Sequence, residues 1–198
     1  AYCSTEKTIT EQLEEGKHFF GRKYPDMKFL AYFQAYTNTY GETEELLRMY
    51  EEALSVSNVV GLVIGTRPDC MPQPLLERLT ELNRHTFLMV EYGIESANDL
   101  TLLRINRGHT FADAQDAVLR TVDAGIRTGG HVILGLPGEH REQLIQQANR
   151  ISRLPLTTLK IHQLQLIRGT RMAHEFQQHP EDFHLYGVDE YIDLVIDY

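Results

Sequence analysis

Cysteine is scarce in this 198-residue chain, which has only Cys3 and Cys70. Two cysteines so far apart build no disulfide framework, which points to a reducing compartment, the cytoplasm. Long apolar runs are missing too. None reaches the roughly 20 residues that a helix needs to cross a bilayer, so no membrane partner is expected. The N-terminus, "AYCSTEKTITEQ", lacks a secretory pattern. Positive charge is in deficit, with 19 Lys and Arg against 28 Asp and Glu, a formal net charge of −9. Bulk binding to nucleic acid depends on Lys and Arg displacing counterions, so it is disfavoured, although a local basic patch is not. No glycine-rich dinucleotide fingerprint follows any apolar segment, and the histidines show no metalloprotease spacing.

What is present is a repeated β-α pattern. Five short segments rich in β-branched, aromatic or leucine residues read as buried strands: 29–37, 59–65, 87–95, 129–135 and 159–167. Amphipathic helical patterns lie between them, at 43–54, 74–84, 111–125 and 139–154, the third ending on Gly125 as a C-cap. An N-terminal helix opens on Thr8 and Glu11, a capping box. A His- and Gln-rich stretch, 171–187, reads as loosely packed, and 188–198 as a final helix. One domain is expected over 1–198, with βα units over 5–170 and a polar tail with a last helix over 171–198. Alternating β and α implies a parallel sheet with right-handed crossovers. Even spacing and polar strand ends favour a (β/α) barrel over an open doubly wound sheet. A barrel places its site at the C-terminal ends of its strands.

Those ends carry Gly, Thr, Gln and Glu. Side-chain alternation puts Glu91, Gly93 and Glu95 on one face, and His131 sits within an apolar strand. Each residue has a plain reading beside a functional one. Glu95 serves equally as a helix cap, His131 as a satisfied core residue, Arg67 as a partner of Asp69, and Cys70 as a small buried side chain. One functional reading is a conventional barrel lyase or aldolase with Glu91 or Glu95 as general base. Another is a barrel that binds without catalysis.

Taken in order, "AYFQAYTNTY" (31–40), "GTRPDC" (65–70), "EYGIES" (91–96), "LLRINRGHT" (102–110), "ILGLPGE" (133–139) and "KIHQLQLIRGT" (160–170) resemble the radical S-adenosylmethionine (SAM) enzymes. The series is most similar to a bacterial group described as iron–sulfur oxidoreductases. It is more distantly similar to the radical SAM domain of the Elongator acetyltransferase and to oxygen-independent coproporphyrinogen oxidase. The resemblance implies a partial (β/α)6 TIM-like barrel. It also implies a [4Fe–4S] cluster held by three cysteines, and SAM cleaved to a 5′-deoxyadenosyl radical that abstracts hydrogen from a substrate.

Carried over by position, Gln34, Ala35, Tyr36 and Thr37 meet the SAM methionine amino group. Thr66 and Arg67 stand beside Gly65, where relatives have an acidic residue. Glu91 and Glu95 belong to the SAM-binding strand, Arg107 holds the methionine carboxylate, and His131 lies near the adenosyl group. The implied partners are SAM, a reducing electron donor and a substrate that is a tRNA or a small molecule. The family's Cys-x3-Cys-x2-Cys motif is absent. The chain also lacks an initiator Met, opens on a helix in place of the first barrel strand, and closes on a helix without a stop signal. It is therefore expected to be a fragment, with a degenerate homologue as the alternative. No retained cluster, weak SAM binding at most, and dimerisation through an exposed sheet edge are expected of it.

Overall fold

The computed structural model describes residues 7–21, 27–34 and 36–198. Five parallel strands, β1 (Phe29–Phe33), β2 (Val59–Thr66), β3 (Phe87–Glu95), β4 (Arg127–Leu134) and β5 (Thr158–Gln163), pair in sequence order. This is the half-barrel that the β-α spacing implies. Helix α1 (Ile9–Gly21) precedes β1, and α2 (Thr43–Ser55), α3 (Gln73–Asn83), α4 (Asp99–Arg104), α5 (Phe111–Asp123) and α6 (Arg141–Ile151) are threaded between the strands. Then follow α7 (Arg171–Gln178) and α8 (Val188–Asp197). No described helix is long and apolar enough to cross a membrane.

The two faces of the sheet differ because alternate side chains differ. Leu62, Ile64, Leu88, Val90, Tyr92 and Ile94 are fully buried and join Leu46, Leu47, Tyr50, Leu75, Leu79, Phe111, Ala114 and Val118 of the helices in one core. Polar atoms inside that core are paired, as burial requires. The Tyr92 hydroxyl lies 2.7 Å from the Thr121 hydroxyl, and burial pushes its pKa up to about 12. The opposite face carries Glu91, His131 and Lys160 and stays partly open.

Local signals account for most boundaries. Thr8 and Glu11 cap α1 reciprocally, and Thr110 and Asp113 do the same for α5. Gly125, at φ 77°, ends α5 in the left-handed conformation that a Cβ disfavours. Helix α6 starts at Arg141, two residues later than the periodicity implies, with His140 as N-cap and Glu139 turned inward. Helix α4 has only six residues, too few to show a period. The 171–187 stretch is more ordered than its composition suggests. It forms α7, Phe183 is buried edge-to-face on Phe176, and Arg104 pairs with Glu175 (2.8 Å) and Asp182 (2.5 Å).

Ile64, wholly buried between the sheet and its helices, tests the core directly. Ile64→Ala is expected to cost about 2–5 kcal/mol, read as a lower urea midpoint. An unchanged midpoint would contradict this packing.

Candidate functional site

The open face carries two charged groupings, one deep and one at the C-terminal rim. In the deep one, a single oxygen of Glu91 (Oε2) accepts from Tyr32 Oη at 2.6 Å, Lys160 Nζ at 2.8 Å and His131 Nε2 at 3.0 Å. Register brings them together. His131 stands opposite both Gly93 and Lys160, and Glu91 stands opposite Gly129. A Cβ on Gly129 would lie 2.9 Å from Glu91 Cγ, so glycine leaves the room that this carboxylate fills. Lys160 also donates to Tyr32 Oη at 3.1 Å and lies 4.6 Å from the centre of its ring.

Glu91 is only 4% exposed. Burial pushes its pKa up, but the bonds from Lys160, Tyr32 and His131 together outweigh burial and hold it below the usual carboxylate range. A carboxylate held ionised in this way is a poor general base near neutrality, which weighs against the lyase reading.

At the rim, β3 breaks register between Gly93 and Glu95, and Glu95 adopts φ 63°. The bend brings the Glu95 carboxylate back over Gly93, where its Oε1 lies 2.9 Å from a terminal nitrogen of Arg107. That nitrogen also donates to the Gly93 carbonyl at 3.2 Å, and His109 Nε2 lies 3.1 Å from the same carbonyl. A Cβ on Gly93 would collide with both Arg107 and Glu95. Arg107 Nε is buried with no hydrogen-bond partner among the described residues. Glu95 does not cap the following helix; the Asn98 side chain does, accepting from Leu100 N–H at 3.0 Å.

Beside the rim, a cleft of about 480 Å³ is lined by Tyr36, Thr37, Tyr40, Arg67, Asp69 and Cys70. Arg67 pairs with Asp69 through two bonds of 2.9 and 2.5 Å. Gly108, at φ 83°, lets Arg67 approach the loop that carries Arg107. Burial raises the Cys70 thiol, which argues against a nucleophile. The Thr66 hydroxyl is buried and bonded to Thr39 at 2.6 Å, so it belongs to the wall behind the cleft. Gln34 and Tyr36 are exposed, and Ala35 lies outside the described residues.

Of the residues picked from sequence, the structure brings Glu91 together with His131, Glu95 with Arg107, and Tyr36 and Thr37 with Arg67. Sequence reasoning missed Tyr32 and His109, and weighed Lys160 only as a Schiff-base lysine, set aside as lying at the wrong end of its strand or deep inside. Lys160 and His162 share one face of β5, which was the available signal, but only pairing across strands places the Lys160 ammonium on Glu91.

Residues 4–151 match the model of the radical SAM superfamily, and the chain belongs to that superfamily. Among curated proteins, it is 38% identical over 193 residues to YtqA of Bacillus subtilis, covering 98% of this chain and 59% of that protein. It is 39% identical over 168 residues to YhcC of Escherichia coli, covering 84% of this chain and 53% of that one. The chain thus spans a little over half the length of these relatives. Two solved structures share the fold. Archaeal Elp3 from Methanocaldococcus infernus superposes with a TM-score of 0.76 at 21% identity, over 96% of this chain and 48% of that one. The coproporphyrinogen III oxidase HemN of Escherichia coli gives 0.62 at 16% identity, over 99% and 47%.

Glu91 predicts a specific pH dependence. Its folded-state pKa is depressed, so the stability it contributes is present above the unfolded-state value of about 4.3 and is lost as pH falls through the folded value. Glu91→Gln should therefore cost about 1–3 kcal/mol at neutral pH. The deficit should vanish in acid, as read from urea melts across pH. A deficit that persists unchanged in acid would contradict the assignment.

Proposed function

We propose that this chain is the SAM-binding half-barrel of a radical SAM enzyme of oxidoreductase type, whose rim at Glu95 and Arg107 receives the methionine end of SAM. The observation that carries this reading is the Arg107 guanidinium. It stands at the C-terminal rim of a parallel barrel sheet, with a buried N–H that has no partner among the described residues. An amino-acid carboxylate fits it, because a guanidinium offers paired donors in a plane. Glu95 offers an acceptor beside it for an ammonium or hydroxyl. The cleft of Tyr36, Thr37 and Arg67 borders the same rim and gives the methionine end a wall. His131, fixed by Glu91, lines the floor on the adenosyl side.

The cluster is a different matter. The chain has two cysteines, so three thiolates cannot all come from it. Among the described residues, no three His, Cys, Asp or Glu side chains are grouped to hold a metal ion. These residues do not fit the cluster, and in this reading its ligands belong to the full-length protein. In the family, cluster and SAM together supply a 5′-deoxyadenosyl radical, with the electron coming from an external reductant. This chain's own part is to bind and orient SAM and to exclude water. The substrate is a small molecule or a tRNA. A relative named tRNA uridine(34) acetyltransferase, from Dehalococcoides mccartyi and 26% identical over 128 residues, favours the tRNA, whereas the net charge of −9 favours the small molecule.

Two measurements test this reading. Arg107→Ala in the full-length gene product should weaken SAM binding by about tenfold to a hundredfold, the worth of a charged hydrogen bond, in equilibrium dialysis; undiminished affinity would remove Arg107 from the site. The isolated 198-residue chain, with β1 as an edge strand and Leu30 45% exposed, should dimerise in sedimentation equilibrium. A clean monomer at high concentration would contradict edge pairing.

A further inference from the structure

Behind the rim lies a buried carboxyl group that the site does not use directly. Glu139 closes the turn after β4 and is 2% exposed. Its Oε1 lies 2.6 Å from Ser96 Oγ and 2.8 Å from Gln147 Nε2, while its Oε2 is buried with no hydrogen-bond partner among the described residues. Arg104, beside Gly138, is committed to Glu175 and Asp182, and Glu139 forms no ion pair among the described residues.

Counting protons points to its state. The Ala97 N–H donates to Gln147 Oε1 at 2.6 Å, which settles which end of that amide is oxygen. Ser96 Oγ lies 2.8 Å from this same oxygen and 2.6 Å from Glu139 Oε1, and it accepts from Asn98 N–H at 3.0 Å. Two short oxygen–oxygen contacts need two protons, and a hydroxyl has one. Ser96 is placed to donate to either oxygen, and a protonated Glu139 supplies the second proton that Ser96 lacks. A neutral acid also leaves Oε2 as a carbonyl-like oxygen, far less costly to bury unpartnered than half of a carboxylate. Burial without a cation raises the pKa of Glu139 and outweighs the lowering effect of the Ser96, Gln147 and Thr101 side chains.

Ser96 directly follows Glu95, the residue bent at φ 63°, and the Ser96 N–H closes that bend on the Ile94 carbonyl at 2.8 Å. Whatever holds Ser96 and Ala97 holds the bend that carries Glu95 over Gly93. We infer that Glu139 is a protonated positioning residue, which holds the bend at Glu95 through Ser96 and Gln147 and so aims the Glu95–Arg107 pair at SAM. The aiming half of this inference rests on the proposed reading of that rim. The protonated half does not.

The test uses the full-length gene product. At neutral pH, the infrared difference spectrum between the protein and Glu139→Gln should show the loss of a protonated-carboxyl C=O band. Loss of a carboxylate band alone would overturn the protonated state. An amide supplies the same donor and acceptor, so Glu139→Gln should keep SAM affinity within about threefold, a hydrogen bond's worth or less. Glu139→Leu should lose at least about tenfold. Ser96→Ala, a smaller change that removes the link to the bend, should lose a similar amount with its circular dichroism intact. Equal losses in Glu139→Gln and Glu139→Leu, or none in Ser96→Ala, would overturn the positioning role. A wild-type protein that binds no SAM would overturn the proposed function, and with it the aiming role, and the infrared band would still decide the proton.

Discussion

The register of β3 breaks at one place, between Gly93 and Glu95, and the arrangement of the rim depends on that break. Regular pleating would carry Glu95 on along the strand. A left-handed residue at this point returns its carboxylate over a glycine, within reach of an arginine arriving from the loop after α4. Left-handed backbone at a non-glycine residue costs energy and persists only where the surroundings enforce it. Here the enforcement is a closed set of hydrogen bonds among Ser96, Ala97, Gln147 and Glu139, which ties the end of β3 to α6 and to the turn after β4.

The deep grouping obeys a different constraint. A carboxylate on a sheet face needs donors, and Glu91 draws them from β1, β4 and β5 at once. These bonds couple an edge strand to the middle of the sheet and fix the orientation of His131. A charge satisfied so fully contributes positioning more than reactivity. The reactive chemistry of the superfamily is carried by its cofactors, and an inert, ordered floor suits that division of labour.

Much of the fold was legible because it follows from local chemistry. The apolar runs at 59–65 and 87–95 are strands over nearly those residues, and the caps at Thr8 and Gly125 lie where their residue types place them. The site was legible only in part. Glu95 and Arg107 were named through a resemblance, and the Arg67–Asp69 pair through their spacing. What stayed hidden is long-range. Tyr32 and Lys160 are 128 positions apart, yet meet at Glu91 because strand register brings β1 and β5 onto one face. Glu139 read as the start of a helix because its periodicity continues into α6, whereas burial against Ser96 decides its role. Order in 171–187 likewise depends on Arg104, far off in sequence, which its composition does not reveal.

The central claim is that this half-barrel serves a SAM-dependent iron–sulfur enzyme. The most direct measurement is anaerobic reconstitution of the full-length gene product with iron and sulfide, followed by visible absorption spectra with and without SAM. The account predicts a broad iron–sulfur band that SAM perturbs. A protein that takes up no cluster, or a cluster band indifferent to SAM, would contradict it.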